Sequence, residues 1–435
     1  MTVSNVHYRD NKVIGKVQKL RFNPAEAVGG KGVMLTESNG RQLLDMSAGW
    51  GAMSLGYGHP AICEAVNNTV ACQPGAGIIS LASSPTVELA EKLLSITPLH
   101  HDSNRVIFGH SGSDANECVV RAVRQATGRP RIIAFVGAYH GGSSGSMSIS
   151  GHSPYGQSPD LLLLPYPDAQ NHSDFSSPAT ILALLDHYFD TICPPDEVGA
   201  LFLEPILADG GVIVPPRAFF QQLQELCRKH GILMVSDEVK VGLGRTGQVH
   251  GFQHLGITPD IVTFGKGLGA GLPISAAVGP DYIFDHAPAS FIQTTHGNPV
   301  CAAAGLAMLN TLHSEKLNDH AAKAGMHMLH KIQCLAEQFS IIRGVSGKGL
   351  ITGIAIHPLD GSDASSLARK ISYRAYELGT LFYLVGKNNS VIELTPPLII
   401  KVNEIDCAIS TLATAIQDVI DGRVSDSEIA AYSGW

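Results

Sequence analysis

The sequence has no long apolar run and no block of like charge. An apolar stretch such as VGALFLEPILADGGVIVPP (198–216) is interrupted by Glu, Asp and Pro before it reaches membrane-spanning length. The first residues, MTVSNVHYRDNKV, lack the apolar core of a secretion signal, so we expect a cytoplasmic protein. Thirty basic against thirty-eight acidic residues give a net charge of −8. This balance disfavours nucleic acid or an anionic membrane as a partner and favours a small-molecule substrate.

Cysteine pairs and metal-ligand spacings are also missing. The eight cysteines are scattered and none belongs to a CxxC pair, which argues against a disulfide framework or a structural zinc site. We expect them to be reduced. The nineteen histidines include His100 and His101 but no HExxH motif. The sequence therefore predicts no metal site.

What the sequence does contain is an alternation of short apolar runs with helical patterns, from about residue 85 to about residue 325. This alternation predicts an α/β fold with a mainly parallel sheet, because strands buried on both faces are apolar throughout. The predicted strands are RVIFG (105–109), RIIAFV (131–136), GALFLE (199–204), ILMVSDE (232–238) and DIVTFG (260–265). The predicted covering helices include TVELAEKLLSI (86–96) and RAFFQQLQELCRKH (217–230).

The two ends of the chain have a different pattern. GVMLTESNGRQLLDM predicts a hairpin around Asn39-Gly40, and after about residue 330 helices mix with the strands ITGIAI (351–356) and VIELT (391–395). We therefore expect a large domain over 59–328. A smaller α+β domain would be built from 1–58 and 329–435.

One predicted strand leads into a helix that begins near residue 113. Ser113 or Asp114 can cap this helix, and Gly128 can end it. Free backbone N–H groups and the helix dipole would then form an anion site, although an ordinary strand-to-helix turn gives the same pattern.

Other chemistry-bearing residues follow the remaining strands. Tyr139 can stack on a planar ligand, and a single lysine, Lys266, lies among glycines at 265, 267, 269 and 271. Acidic residues at strand ends face the crevice where open α/β sheets bind ligands. They are Glu204, Asp209, Asp237 and Glu238, and Lys240 follows the last pair.

Together, an anion site, an aromatic ring, a strand-end carboxylate and a lysine in a tight turn match the needs of pyridoxal phosphate. The helix terminus would bind the phosphate and the aromatic ring would stack on the pyridine. The carboxylate would keep the pyridine nitrogen protonated, and the lysine would form a Schiff base.

The sequence resembles the class III (ω-) aminotransferase family of fold-type I pyridoxal-phosphate enzymes over about residues 40 to 400. The motifs that carry this resemblance are SGSDANE (111–117), YHG (139–141), LEP (203–205), DEVKVGLGRTG (237–247), PDIVTFGKG (259–267) and THGNP (295–299). The resemblance implies that Lys266 binds the cofactor covalently, Asp237 pairs with the pyridine nitrogen and Val239 packs beneath the ring. It also implies phosphate contacts from Gly112 and Ser113, stacking by Tyr139, and a homodimer in which Thr294 reaches the phosphate of the neighbouring subunit.

Two positions depart from the family's pattern. Lys240 stands where the family usually has Gln, and Glu393 in VIELTPPL stands where many members have an Arg that holds a substrate carboxylate. Asp209 corresponds to the acidic partner of that Arg, and Lys240 could be the cation that now holds it. Burial, Glu393 and the phosphate would favour neutral Asp209, whereas Lys240 would favour its anion. The sequence does not rank these effects.

With these departures the chain resembles the α-amino-ε-caprolactam racemases of the family. The segments VQKLRF (17–22) and MSAGWGAMSLGYGHP (46–60) contribute to this resemblance. It implies that Trp50 and Tyr139 wall a substrate pocket, and that Lys266 and Asp209 exchange the Cα proton. A cyclic or amide substrate has no carboxylate, which agrees with Glu393 in place of Arg. The alternatives are an aminotransferase and a non-catalytic binding protein, and the second is disfavoured because Lys266 and Asp237 are both present.

Overall fold

The computed structural model describes residues 6–153, 155–168, 176–359, 363–432 and 434. The chain divides into two compact units, one made of 1–59 with 320–435 and the other of 60–319. Each unit is considered separately below. Within the described ranges, no helix combines the length and the apolar character needed to cross a membrane.

The elements of the described residues are numbered in chain order. The strands are β1 Gly29–Lys31, β2 Met34–Thr36, β3 Gln42–Asp45, β4 Asn104–Gly109, β5 Arg131–Phe135, β6 Leu161–Leu164, β7 Val198–Leu203, β8 Leu233–Asp237, β9 Ile261–Phe264, β10 Ser275–Pro280, β11 Ile342–Lys348, β12 Ile351–Ile356, β13 Thr380–Leu381, β14 Tyr383–Val385 and β15 Val391–Leu394. The helices are α1 Val6–Val13, α2 Ala48–Gly51, α3 Pro60–Cys72, α4 Ser84–Ile96, α5 Gly112–Thr127, α6 Ser144–Met147, α7 Pro178–Thr191, α8 Arg217–His230, α9 Phe252–Leu255, α10 Asp281–Phe284, α11 Pro299–Ser314, α12 Leu317–Gln338, α13 Ala364–Glu377, α14 Val402–Ile420 and α15 Asp426–Ile429.

The unit formed by 60–319 is built on a seven-stranded sheet in the order β4-β10-β9-β8-β7-β5-β6. β10 runs antiparallel to both of its neighbours, and the other adjacent pairs are parallel. Every residue of β7, β8 and β9 is buried. The predicted α/β class and mainly parallel sheet are confirmed.

All five strands predicted from the sequence are present in this sheet, as β4, β5, β7, β8 and β9. The two helices quoted above are present as α4 and α8. The sequence analysis missed β6 and β10. β10 consists of SAAVGP, whose small residues and proline have low strand propensity. Its backbone lies between β4 and β9, so tertiary pairing overrides the weak local preference.

The parallel strands bring the candidate residues to one edge of this sheet. Tyr139 follows β5, Glu204 follows β7, Asp237 ends β8 and Lys266 follows β9. β4 runs in the same direction as these strands, because β4 and β9 are both antiparallel to β10, which lies between them. Gly112 begins α5 directly after β4. The carboxyl ends of parallel strands are where open α/β sheets bind ligands.

The other unit contains two four-stranded sheets, β1-β2-β3-β13 and β11-β12-β15-β14. The predicted hairpin is confirmed: β2 and β3 pair antiparallel, and the turn between them is closed by Gly40 N–H donating to the Glu37 carbonyl at 2.9 Å. The second sheet is antiparallel throughout, and α13 packs on α14. This is the α+β unit expected from both chain ends. The division at 319/320 and the boundary predicted at 328/329 both fall within α12, a continuous helix.

Candidate functional site

Asp237 is a buried carboxylate whose orientation is fixed by three donors. Its Oδ2 accepts a hydrogen bond from Asn116 Nδ2 at 2.8 Å and lies 2.8 Å from His140 Nδ1. Its Oδ1 accepts the N–H of Val239 at 3.0 Å. Only 4% of Asp237 is exposed. A carboxylate held in this way is suited to pairing with a protonated ring nitrogen, as the predicted cofactor requires.

Glu238 lies on the other side of the strand end, because successive side chains of a strand point in opposite directions. It accepts the N–H groups of Gly251 and Phe252 at 2.7 and 2.9 Å and the Ser236 hydroxyl at 3.2 Å. Burial raises its pKa to about 7, although these hydrogen bonds oppose the rise. The sequence analysis placed Glu238 in the crevice with Asp237, and this is wrong: Glu238 ties β8 to the 251–252 segment.

Glu204 is also structural rather than exposed to a ligand. Its two carboxylate oxygens accept the N–H of Tyr139 at 2.9 Å and the N–H of Ala208 at 3.0 Å. Burial raises the pKa of Glu204 to about 7; His140 opposes this rise, and the carboxylates of Asp237 and Asp209 add to it. The side chain therefore fixes the backbone of Tyr139, and both of its oxygens are held by backbone N–H groups.

Asp209 and Lys240 form a buried ion pair. Lys240 Nζ donates to Asp209 Oδ1 at 2.6 Å, and the side chains are 5% and 8% exposed, respectively. Burial alone would raise the pKa of Asp209, but the positive charges of Lys240 and Lys266 outweigh it and lower the pKa to about 2. The contact with Lys240 at 2.6 Å therefore favours the anionic form of Asp209. The influence of Lys266 also indicates that its ammonium and Asp209 are close together.

Helix α5 begins two residues earlier than the predicted cap. Ser111 is the N-cap residue and its Oγ accepts the N–H of Asp114 at 3.3 Å, so neither Ser113 nor Asp114 caps the helix. Gly112 and Ser113 consequently lie in the first turn. The first N–H groups of a helix have no partner within it, so this turn can bind an anion. The predicted end of the helix is confirmed, since Gly128 is left-handed with φ of 69°.

Val239 lies against two glycine backbones. A Cβ on Gly112 would come within 2.6 Å of Val239 Cγ1, and a Cβ on Gly265 would come within 3.2 Å of the same atom. Val239 is only partly buried, so part of its surface is available to a ring. This packing links the start of α5, the end of β8 and the turn that bears Lys266.

The loop after Tyr139 packs on the same helix start. Ser113 Oγ accepts the N–H of Gly142 at 3.0 Å, and a Cβ on Gly141 would come within 2.5 Å of that oxygen. Tyr139 is partly buried, and its ring meets His152 edge-on with the centroids 5.8 Å apart. Burial and the nearby Asp209 charge raise the pKa of the Tyr139 hydroxyl.

Lys266 begins a short 3₁₀ turn, Lys266–Gly269, directly after β9. Its φ is +38°, a backbone conformation that is uncommon for residues other than glycine. Such backbone strain is frequent at active sites, where the surrounding structure imposes it. The helix N-terminus, the fixed carboxylate, the packed valine and this lysine together provide the donor set that pyridoxal phosphate needs, so the residues fit the predicted cofactor.

Trp50 and Glu393 belong to the unit formed by 1–59 and 320–435. Trp50 has a left-handed backbone with φ of 64°, and its ring lies 4.8 Å from that of Tyr383 and 6.0 Å from that of Phe22. Glu393 is 1% exposed and lies in β15, opposite Gly353 on one side and Tyr383 on the other. Their predicted contacts with a substrate remain predictions.

Thr294 is exposed in a loop that precedes α11. The Ile78 N–H donates to the carbonyl of His296 at 3.0 Å, and a Cβ on Gly77 would come within 2.6 Å of the Thr294 carbonyl. Residues 77–78 therefore brace this loop. The predicted contact of Thr294 with a neighbouring subunit remains a prediction.

Sequence reasoning missed Asn116 and His140, and it named Glu204 without its positioning role. Asn116 and His140 hold Asp237, and Glu204 holds the backbone of Tyr139. All three lie inside quoted motifs, SGSDANE, YHG and LEP. The motifs therefore mark all three as candidate site residues, but they do not specify that Asn116 and His140 contact Asp237.

Comparisons with known proteins agree with this geometry. The family model described as "Aminotransferase class-III" matches residues 17–416. The chain is 34% identical to an alanine/serine racemase from Pyrococcus horikoshii, over 96% of this chain and 90% of that protein. It is 36% identical to an acetylornithine aminotransferase from Mycolicibacterium smegmatis, over 93% and 95%. Among solved structures, an amine transaminase from an uncultivated Pseudomonas species in the PLP-bound form has a TM-score of 0.83 and 28% identity, covering 96% of this chain and 97% of that one.

Proposed function

Because this chain belongs to the class-III aminotransferase family and its cofactor is pyridoxal 5′-phosphate, we propose that it is a racemase that interconverts the enantiomers of α-amino-ε-caprolactam and of α-amino acid amides. The observation that carries the proposal is the buried Asp209–Lys240 ion pair beside Lys266. This pair supports the proposal because Asp209 is a second ionisable group within electrostatic reach of Lys266.

We assign cofactor binding to residues at the sheet edge. Asp237 pairs with the pyridine nitrogen, Val239 packs beneath the ring, and the first turn of α5 at Gly112 and Ser113 binds the phosphate. Tyr139 stacks on the ring and Lys266 binds the cofactor covalently. The bound cofactor withdraws electrons from an attached amine and so makes its Cα–H acidic.

Racemisation requires one group that removes the Cα proton and another that returns a proton to the opposite face. We assign these roles to Lys266 and Asp209. The Asp209 carboxylate, held by Lys240 at 2.6 Å, is the candidate for the second group. Lys266 lowers the pKa of Asp209 through its charge, so the pKa of Asp209 rises whenever the Lys266 amine is neutral. This coupling allows a proton to be held by one group or the other, as a two-base exchange requires.

The charges favour a substrate with a neutral carbonyl group. A cation binds a substrate carboxylate well only if no other anion already neutralises it. The charge of Lys240 is already balanced by Asp209 at 2.6 Å. At position 393, where many family members have an Arg, this chain has a buried glutamate, so that position supplies no cation. A lactam or amide needs no such cation. We also propose, from the resemblance to the racemases, that Trp50, Tyr139 and Glu393 contact the substrate.

We also propose that the enzyme is a homodimer in which Thr294 completes the phosphate site of the neighbouring subunit. The support is the exposed apolar surface on the segments that flank and brace the Thr294 loop. The exposed fractions are 40% for Ile78, 46% for Ile79, 68% for Leu81 and 58% for Ile292. A second copy of the chain covering this surface would remove it from water.

An aminotransferase is the second candidate. Its support is the 36% identity to the acetylornithine aminotransferase, together with Lys266 and Asp237, which both reactions need. An aminotransferase must return the amino group from the cofactor to a keto acid, whereas a racemase needs no second substrate.

The deciding experiment incubates the holoenzyme with L-α-amino-ε-caprolactam in D₂O without any keto acid. Optical rotation and deuterium at Cα are followed together, and L-leucinamide and L-leucine are run in parallel. Loss of rotation with deuterium uptake in the lactam and amide supports the proposal. Racemisation of leucine alone would reassign the substrate to free amino acids, and turnover only after pyruvate is added would make the enzyme an aminotransferase.

A further inference from the structure

Three potential metal ligands that the proposed reaction does not use lie beside the first turn of α5. His110 immediately precedes the helix cap, Asp114 lies in the first turn, and His296 comes from the loop before α11. One ligand atom from each residue lies within 4.8 Å of the others. His110 Nδ1 and Asp114 Oδ2 are 3.4 Å apart. Two ligands bound to one zinc ion at about 2.0–2.2 Å with tetrahedral angles are separated by about this distance.

The partners of these ligands have the arrangement expected around a bound metal. His110 Nε2 lies 2.7 Å from Thr295 Oγ1, which leaves Nδ1 as the nitrogen that faces Asp114. The same Asp114 oxygen accepts the N–H of His110 at 2.9 Å. Metal-binding histidines commonly use their second nitrogen in such a hydrogen bond, because it fixes the tautomer and the ring orientation.

His296 supplies an independent observation. It is 3% exposed, and within the ranges described its Nε2 is buried and has no hydrogen-bond partner. Leaving a polar nitrogen buried in this way is costly unless something binds it. The ring centroid lies 4.7 Å from that of His110. Burial and the neighbouring His110 lower the pKa of His296 from its usual value, and the nearby Asp114 opposes them.

We propose that His110, Asp114 and His296 bind one divalent transition-metal ion, with the two-imidazole, one-carboxylate ligand set that suits Zn²⁺. Three protein ligands leave a fourth position open to water or to an anion. The sequence analysis predicted no metal, because the ligands come from two distant segments and form no spacing motif. The ion would join the start of α5 to the loop that bears Thr294, and it would add positive charge beside Gly112 and Ser113. The proposal concerns metal binding alone and holds for a racemase and an aminotransferase equally.

The test is a Co²⁺ titration of tag-free holoenzyme that has been treated with a chelator and then freed of it. We expect one Co²⁺ per chain, with visible d–d absorption bands that Zn²⁺ displaces. His110→Ala and His296→Ala should abolish stoichiometric binding, and Thr295→Val should weaken it by about 10- to 100-fold. The matched control is His327→Ala, which removes another His–Asp pair, with Asp406 at 2.7 Å, and should leave binding unchanged.

Cofactor absorbance and circular dichroism identify any variant that fails to fold. His110 and Thr295 are not buried, so their variants give a result even if His296→Ala does not. Wild-type enzyme that binds no Co²⁺ at micromolar concentration would overturn the proposal. Binding that persists undiminished in His110→Ala would overturn it as well, because the ion would then be held elsewhere, for example by the exposed Cys63, Cys72 or Cys407.

Discussion

Lys240 Nζ donates a hydrogen bond to Asp209 Oδ1 at 2.6 Å, and the two side chains are only 5% and 8% exposed. The pair explains why a lysine is tolerated inside the DEVKVG segment, since a buried ammonium needs an opposite charge nearby. It also means that neither charge can be removed without altering the other. The two residues are therefore the most informative positions for mutation.

Asp209→Asn should reduce racemisation by about 10²- to 10⁴-fold, the range for loss of a positioned acid or base. The amide has nearly the same shape as the carboxylate but does not accept a proton. Slow transamination, which needs only one base at Cα, should fall far less. Both rates are measured on the same preparation, by polarimetry without keto acid and by amino-group transfer to pyruvate. Equal losses in the two assays would remove Asp209 from the two-base scheme.

Lys240→Met should change the pH dependence of Cα hydrogen exchange. In the unmodified protein, burial favours the neutral form of Asp209, but Lys240 and Lys266 outweigh it and lower the pKa to about 2. Without Lys240 the effect of burial is less opposed and the pKa of Asp209 rises. Protonation then removes the base as pH falls, and the acid limb of the rate profile should move up by about one pH unit or more.

Lys240→Arg is the matched control for that variant, because it keeps a cation and should leave the acid limb near its original position. The methionine variant should also be less stable by about 3–5 kcal/mol at neutral pH, since it leaves a buried carboxylate without its partner. The sign follows from the lowered pKa. The stabilisation from ionised Asp209 is present above its unfolded pKa of 3.8 and is lost as pH falls towards 2. Thermal unfolding between pH 5 and 8 measures the difference.

Asn116→Ala should weaken cofactor binding by about 10- to 100-fold, because a hydrogen bond to a buried charged group contributes about 1.5–3 kcal/mol. The change removes one of the two groups that hold Asp237 Oδ2. The cofactor dissociation constant is measured by titrating apoenzyme and following its absorbance. Glu238→Gln is the control, since Glu238 is adjacent in sequence but is hydrogen-bonded to Gly251 and Phe252. An unchanged dissociation constant for Asn116→Ala would show that Asn116 does not position Asp237.

The principal residues of the site could be predicted because the sequence carries them locally. Lys266 and Asp237 each lie at the end of an apolar run, and the parallel sheet then brings strand ends to one edge without further information. The partners of Asp237 could not be predicted in the same way. Asn116 and His140 contact it across 121 and 97 residues of chain, and no local pattern specifies such a contact.

Charge states and fine geometry were also beyond the sequence. The ionisation of Asp209 depends on the 2.6 Å distance to Lys240, and the competing effects have opposite signs until that distance is known. The cap of α5 was misplaced because three of the four residues 111–114, namely Ser111, Ser113 and Asp114, are good cap formers. Glu238 was assigned to the wrong face of the sheet because it was treated together with Asp237. Successive side chains of a strand point to opposite faces, so the two adjacent carboxylates diverge.

Lys266→Ala should abolish the covalent attachment of the cofactor. After borohydride reduction and denaturation, the unmodified chain should carry one equivalent of cofactor mass on the peptide that contains Lys266, and the variant should carry none. Lys240→Ala provides the matched comparison, because Lys240 is the other lysine that acts on Asp209. Its amine is bound to a carboxylate and is charged, whereas attack on an aldehyde requires a neutral amine. Lys240→Ala should therefore retain the label. Label lost from Lys240→Ala but kept by Lys266→Ala would exchange the roles of the two lysines, and with them the assignment of the first base.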